Sequence, residues 1–195
     1  MDFGTLKERA LNILGRDAFP LAFDLAASQL NDELRIRAME TTATFVSANG
    51  QITLPTDFLE VQSVANVAGG FLKPISHEQL VDLAEAGTPT HYVVGNGILS
   101  LNPAPDDGHE IKLVYFAKLA DLVNDGDTNA ALNGGALEAY VYTTLAHHAR
   151  LIRDTGALPF WEAEGARAVA MANRADLASR YNGGTLEVEP VGTVV

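Results

Sequence analysis

The chain has 195 residues, no cysteine and a formal net charge of −12. A chain of this length buries about 70% of the surface its unfolded form exposes and needs no staple to fold; the missing thiols exclude disulfides, iron–sulfur clusters and cysteine zinc sites. The acidic balance opposes stable contact with phosphate backbones, because Arg35 and Arg37 are the nearest thing to a basic patch.

The first residues, Met1 to Arg9, carry charges where a signal peptide places its apolar run. No stretch reaches the roughly 18 apolar residues of a membrane span. Residues 5–14 read as a short helix with Leu6, Ala10, Ile13 and Leu14 on one face, ended by Gly15. A second helix starts near Asp17 or Pro20, since proline suits the first turn, and presents Leu21, Leu25, Ala26, Gln29, Leu30 and Leu34 at helical spacing. From Glu40 to Ser47 the composition turns β-branched. Asn49-Gly50 then predicts a type I′ hairpin with residues 51–54, because both central residues need positive φ.

A second hairpin is predicted across Gly69-Gly70, between residues 60–68 and 71–75. Ser76 caps a short helix running to Ala86, with Gln79 completing a capping box. A third hairpin joins residues 91–94 and 98–101 through Gly95-Asn96-Gly97, and residues 110–116 form one more strand. The stretch 121–135 is polar and reads as a loop. Helix three covers about 136–154, with Leu137, Tyr140, Val141, Leu145, His148 and Ile152 on its apolar face. Helix four covers about 158–181; its many alanines let helix axes approach closely. Gly183-Gly184 breaks it, and the remainder alternates apolar with acidic or polar residues, without a partner strand in sequence. The fold class is therefore α+β: a bundle built from helices at 5–35 and 136–181, an antiparallel β lobe inserted at 40–118, and an extended tail at 183–195. Residues 1–182 are expected to form one domain.

No reactive constellation is visible. His147-His148 are adjacent, so on a helix they point about 100° apart, whereas a helical zinc pair stands at i and i+4. They read as one histidine on the buried face and one at the rim. Asp106-Asp107-Gly108 and the acids of 121–127 lack the further ligands of a calcium loop and read as polar turns, with calcium at 121–127 the lesser alternative if oxygen ligands come from elsewhere in the fold. The glycine pairs join strand to strand and do not cradle phosphate, which needs a helix N-terminus. Trp161 reads as a core anchor, with an interface anchor as the alternative. Neither a catalytic residue nor a metal or cofactor is expected.

The wording of the β lobe carries a resemblance. Ile52-Thr-Leu-Pro-Thr-Asp-Phe-Leu-Glu60 resembles the I-x-L-P-x-D-F-L-E opening of tailed-bacteriophage head-to-tail adaptor proteins. Gly87-Thr-Pro-Thr-His-Tyr92 with Gly97-Ile-Leu-Ser-Leu-Asn-Pro-Ala-Pro105 is similar to their next block, and Leu113-Val-Tyr-Phe-Ala-Lys118 to their Y-Y-x-K strand. Residues 136–153 resemble the helix that reads Y-x-Y-x-x-L, and Trp161 matches an aromatic common on the next helix. One landmark departs: Asn129-Ala130 stands where the family often has Asn-Trp.

The resemblance implies a non-enzymatic virion protein of the neck between capsid and tail, made in the host cytoplasm. It implies a ring, commonly of twelve copies, whose bundles pack side by side below the portal protein, with the β lobe facing downstream tail or nozzle proteins. The tail, with Leu186, Val188, Val191 and Val194, would dock into the portal. Genomic DNA would pass an acidic lumen without specific binding. Arg35, Arg37, Arg167, Arg174 and Arg180 are the expected contacts between subunits. The alternatives are a binding module of a tail or baseplate, and a small hydrolase using His147 or His148, for which no nucleophile–base pair is identifiable.

Overall fold

The computed structural model describes residues 1–81 and 86–181. In chain order it runs α1 (Phe3–Leu14), α2 (Pro20–Glu33), β1 (Glu40–Val46), β2 (Gln51–Thr53), β3 (Phe58–Asn66), β4 (Lys73–Pro74), α3 (His77–Val81), β5 (His91–Gly95), β6 (Ile98–Asn102) and β7 (Glu110–Ala117). It then closes with α4 (Ala130–Asn133), α5 (Leu137–Leu151) and α6 (Leu158–Tyr181). The class is α+β, with antiparallel sheets between two sets of helices, as the sequence predicts.

The helix ends follow their capping residues. Asp2 accepts bonds from the Thr5 backbone N–H (2.9 Å) and hydroxyl (2.8 Å), which hold its carboxyl below the ordinary carboxylate value. Gly15, at φ 67°, returns its N–H to Leu11 O. Pro20 opens α2. The buried face of α2 keeps Ala26, Leu30 and Leu34 of the predicted stripe but not Leu21 or Leu25. Ala22, Phe23, Ala26 and Leu30 are buried, while Leu21 is 52% and Leu25 36% exposed. Two apolar stripes overlap on this helix. The Phe23 ring meets Phe3 edge-on at 5.2 Å and turns its own stripe inward.

Helix α5 is the axis of the bundle, buried on most sides and contacted by α1, α2 and α6. Gly165 lets α6 come close: an added Cβ there would stand 3.4 Å from Thr143 Oγ1. The predicted loop 121–135 contains α4, one turn capped by Asn129, whose Oδ1 accepts from Leu132 N (3.1 Å). The polar run hides two buried apolar side chains, Ala131 and Leu132, which fix this turn under α5. Asn129 is thus the surviving half of the Asn-Trp landmark. Gly134 closes the turn in a tight corner, where an added Cβ would lie 2.6 Å from Ala130 O and from the Ala38 and Ile36 side chains. Gly134→Ala is therefore expected to cost about 1–3 kcal/mol by overpacking; thermal unfolding checks it, and an unchanged melting temperature would contradict the geometry.

The β lobe has two sheets, ordered β1-β7-β3 and β2-β6-β5-β4. The Asn49-Gly50 turn forms as predicted: Ala48 and Gln51 exchange both backbone bonds, with φ of 52° and 70° at the centre. The hairpin it was expected to close does not form. β1 pairs along its length with β7, and β2 pairs with β6. The turn is a corner between sheets, packed so closely that a Cβ on Gly50 would meet Ala104 Cβ at 2.9 Å. The Gly69-Gly70 connection behaves likewise: Ala65 bridges Phe71, after which β4 runs parallel to β5 in the other sheet. Only the third hairpin is a full one, β5 with β6 across Asn96-Gly97. Ser76 and Gln79 bond reciprocally (3.0 and 3.3 Å), as the capping box predicts. The helix does not reach Ala86, which bridges Ala104; residues 82–85 lie outside the described residues.

Strand β7 joins the two cores. Ile111, Leu113 and Tyr115 pack with Ile52, Val64 and Leu99 inside the lobe. Phe116 and Leu119 pack with Leu30, Leu34, Tyr140 and Leu145 inside the bundle. The Asn31 side chain accepts the Leu119 N–H (2.8 Å) and pins this crossing to α2.

Candidate functional site

The region with the most built geometry is the end of α6, where the chain leaves the bundle. Four residues of its last turns reach across to the α2–β1 connection. Asn173 Oδ1 accepts from Arg35 N (2.9 Å), and its amide donates to Glu33 O (3.0 Å). Asp176 Oδ1 accepts from Arg37 N (2.9 Å). The Arg37 guanidinium donates to Ser179 Oγ (3.2 Å). Arg180 donates through Nε to Asp176 (2.7 Å) and lies 2.6 Å from Glu40 Oε1, off the line of a hydrogen bond, so that contact is ionic. Burial raises the Asp176 carboxyl, but the Arg37 N–H and the Arg180 side chain outweigh it and hold it below its ordinary value. The bond to Asp176 raises Arg180 in turn.

This clasp fixes the exit of α6 beside the first residue of β1. Asparagine and aspartate inside an alanine-rich helix were its only trace in the sequence, and their partners lie about 140 positions away. The five arginines separate accordingly. Arg35 also pairs with Glu60 (2.8 Å) and stacks over Phe116, so Arg35, Arg37 and Arg180 all bond within the subunit. The exposed Arg167 pairs with the half-buried Glu164 at 3.3 Å, and Arg174 stands on the exposed face of α6. Leu186, Val188, Val191 and Val194 lie outside the described residues.

Both histidines are buried, so the expected rim position does not occur: α2 and α6 cover α5 on both sides. His147 Nε2 meets Gln29 Oε1 at 2.9 Å. His148 stacks under Phe19 at 5.2 Å, and its Nδ1 accepts the Phe19 N–H (3.3 Å). That bond places the proton on Nε2, which has no partner among the described residues. Burial lowers both imidazoles below 6.5, helped by Arg150 at His147, where Glu162 opposes, and by Arg16 at His148. The sign follows directly. The unfolded chain takes up protons near pH 6.5 while the folded chain resists them, so this stability is complete above about pH 6.5 and is lost as pH falls through the folded values. The melting temperature is expected to drop between pH 7 and pH 5, with a shallower slope in His147→Gln/His148→Gln. An equally steep slope in that variant would assign the effect elsewhere. Stoichiometric zinc removed by the same variant would show that the histidines bind metal.

The remaining candidates are structural in their contacts. Trp161 is half-buried against the bundle core, stacked on Tyr142 at 6.1 Å. Asp107 accepts the Asn49 N–H (2.6 Å) and Asp127 the Val123 and Asn124 N–H groups (2.9 and 2.7 Å), the work of polar turns. Among the described residues, no helix is long and apolar enough to cross a membrane.

A clasped bundle around one buried helix, with a strand-switching lobe inserted in it, is the architecture on which the resemblance can be checked. Comparison with curated proteins finds no match. A family model described as SU10 adaptor protein matches residues 1–188, nearly the whole chain. That family is one of structural phage proteins, which points to a non-enzymatic component of the virion neck in contact with portal and tail proteins. The chain therefore belongs to the SU10 adaptor protein family, a family of phage head-to-tail adaptors.

Proposed function

We propose that this adaptor assembles as a ring of about twelve copies between the portal and the tail and serves as a conduit for the genome. The supporting observation is the clasp at Arg180, which delivers the chain at a fixed point, at the junction of bundle and lobe, with residues 182–195 still to follow. A fixed exit aims an extended segment at one site on a neighbour. Leu186 and Val188 alternate on one face, with Val191 and Val194 beyond Pro190, which suits addition to a sheet edge of the portal. Arg35, Arg37 and Arg180 serve this by holding the exit, while Arg167 and Arg174 face neighbouring subunits.

The surplus of acid supports passage of DNA without adhesion. If carboxylates line the lumen, repulsion fades beyond about 8 Å at physiological salt, so a lumen wider than the duplex acts as a smooth sleeve. The test is negative-stain imaging of the protein mixed with its portal. Stacked rings are expected; a portal that stays bare would refute the reading and favour a tail or baseplate binding module.

A further inference from the structure

Two outward helix faces of the bundle are complementary. On α2, Leu21, Asp24, Leu25 and Asp32 fall on one side of the helix, and all four are exposed. On α6, Arg167, Met171 and Arg174 fall on one side, with Ala170 and Ala178 between and beyond them, again all exposed. Met171 is 56% exposed. One stripe is apolar with acids; the other is apolar with bases. Their dimensions agree: at about 1.5 Å per residue the two aspartates stand about 12 Å apart along α2, and the two arginines about 10 Å apart along α6.

The faces do not satisfy each other within one subunit. Helices α2 and α6 both pack on α5; they meet where Asn173 bonds Glu33, and a cleft of about 180 Å³ lined by Gln29, His147, Trp161 and Gly165 separates them further along. Asp24 and Asp32 form no ion pair among the described residues, nor does Arg174. The Arg167–Glu164 contact is exposed and long, so it holds Arg167 only weakly.

We infer that the α6 face of one copy seats against the α2 face of the next copy in the ring. The inference rests on the ring reading above and names the surfaces that build it. Two different faces on each subunit make a heterologous contact, which closes into a ring when the rotation per copy divides the circle. Each junction places two guanidinium groups against two carboxylates around a seam of Leu21, Leu25 and Met171. Charges of this kind set register and exclude the wrong pairing, since α6 against α6 would oppose arginines. A portal or tail protein covering either face is the competing occupant.

The absence of native cysteine makes the test direct. Leu25→Cys/Met171→Cys is seated on the portal and treated with a short bis-maleimide. The expected result is a covalent ladder that extends to the full ring, with each single variant giving no product beyond a dimer. A second arm reverses charge: Arg167→Glu/Arg174→Glu is expected to lose ring formation at least tenfold, and adding Asp24→Arg/Asp32→Arg to recover it. Rings without a ladder, or without rescue, overturn the inference and leave the ring standing. A wild-type protein that forms no ring on the portal overturns both.

Discussion

Truncation after Asn182 is expected to leave the fold intact and to abolish binding to the portal. Both bundle and lobe cores are complete before that point, with Val169 the last buried apolar residue among those described. The clasp ends at Arg180, so its bonds survive as well. The melting temperature of the truncated protein should match that of the full chain within a few degrees. What is removed is the segment proposed to add a strand to the portal. Roughly five backbone hydrogen bonds at about 1 kcal/mol each correspond to more than a thousandfold in affinity. Shortening the chain to Glu189 keeps Leu186 and Val188 but removes Val191 and Val194, so it should weaken binding without abolishing it. Co-sedimentation with portal rings measures the effect. Loss of cooperative unfolding, or unaltered portal binding, would refute the docking role.

Tyr140→Ala is expected to be the most damaging single substitution in the bundle, at about 3–5 kcal/mol. A whole domain of ordinary stability has only about 5–15 kcal/mol in reserve. Tyr140 is 1% exposed in the first turn of α5, and its hydroxyl donates to Phe23 O (3.3 Å), one turn into α2. Burial, with Asp24 and Asp121 nearby, raises the phenol far above its ordinary value, so it remains a donor at all accessible pH. Alanine leaves a cavity and removes the hydroxyl's bond, while Phe23 O keeps its place in the hydrogen-bonded turns of α2. Tyr140→Phe removes only the hydroxyl and should cost about 1 kcal/mol. Urea unfolding of the two variants separates packing from hydrogen bonding. A Tyr140→Ala loss below that of Tyr140→Phe would contradict this picture.

Local chemistry was legible wherever the structure uses it locally. Gly15, Pro20, the Ser76–Gln79 box and the Asn96-Gly97 turn all do what their residue types require. The misreadings share one cause: a tertiary partner decided between local options. The Asn49-Gly50 turn is correct in its dihedrals and wrong in its hairpin, because β1 finds a seven-residue partner in β7 while β2 offers only three residues. Leu21 and Leu25 look like core until Phe3 claims Phe23. The clasp left only polar residues in α6 as a trace, since nothing near Asn173 or Asp176 in sequence marks their distant partners. Helix α4 was hidden because its capping asparagine resembles loop composition. The family resemblance was legible for a different reason: its words lie in the lobe turns and on α5, where backbone geometry restricts which residues fit.

The crossing of β7 between two cores has a kinetic meaning. Its partners in β1 stand 64 to 76 positions earlier, from Val46 with Glu110 to Glu40 with Phe116. No short hairpin brings them together, because both early turns send their strands to opposite sheets. The loop must close before the sheet returns any free energy, and long-range closure slows folding towards the millisecond-to-second range. Helices and the β5–β6 hairpin can form in microseconds and then wait. The rate at which the chain reaches its native fold is thus set by the capture of β7, and refolding kinetics should show substitutions at Leu113 or Ile111 slowing folding more than substitutions at the turns.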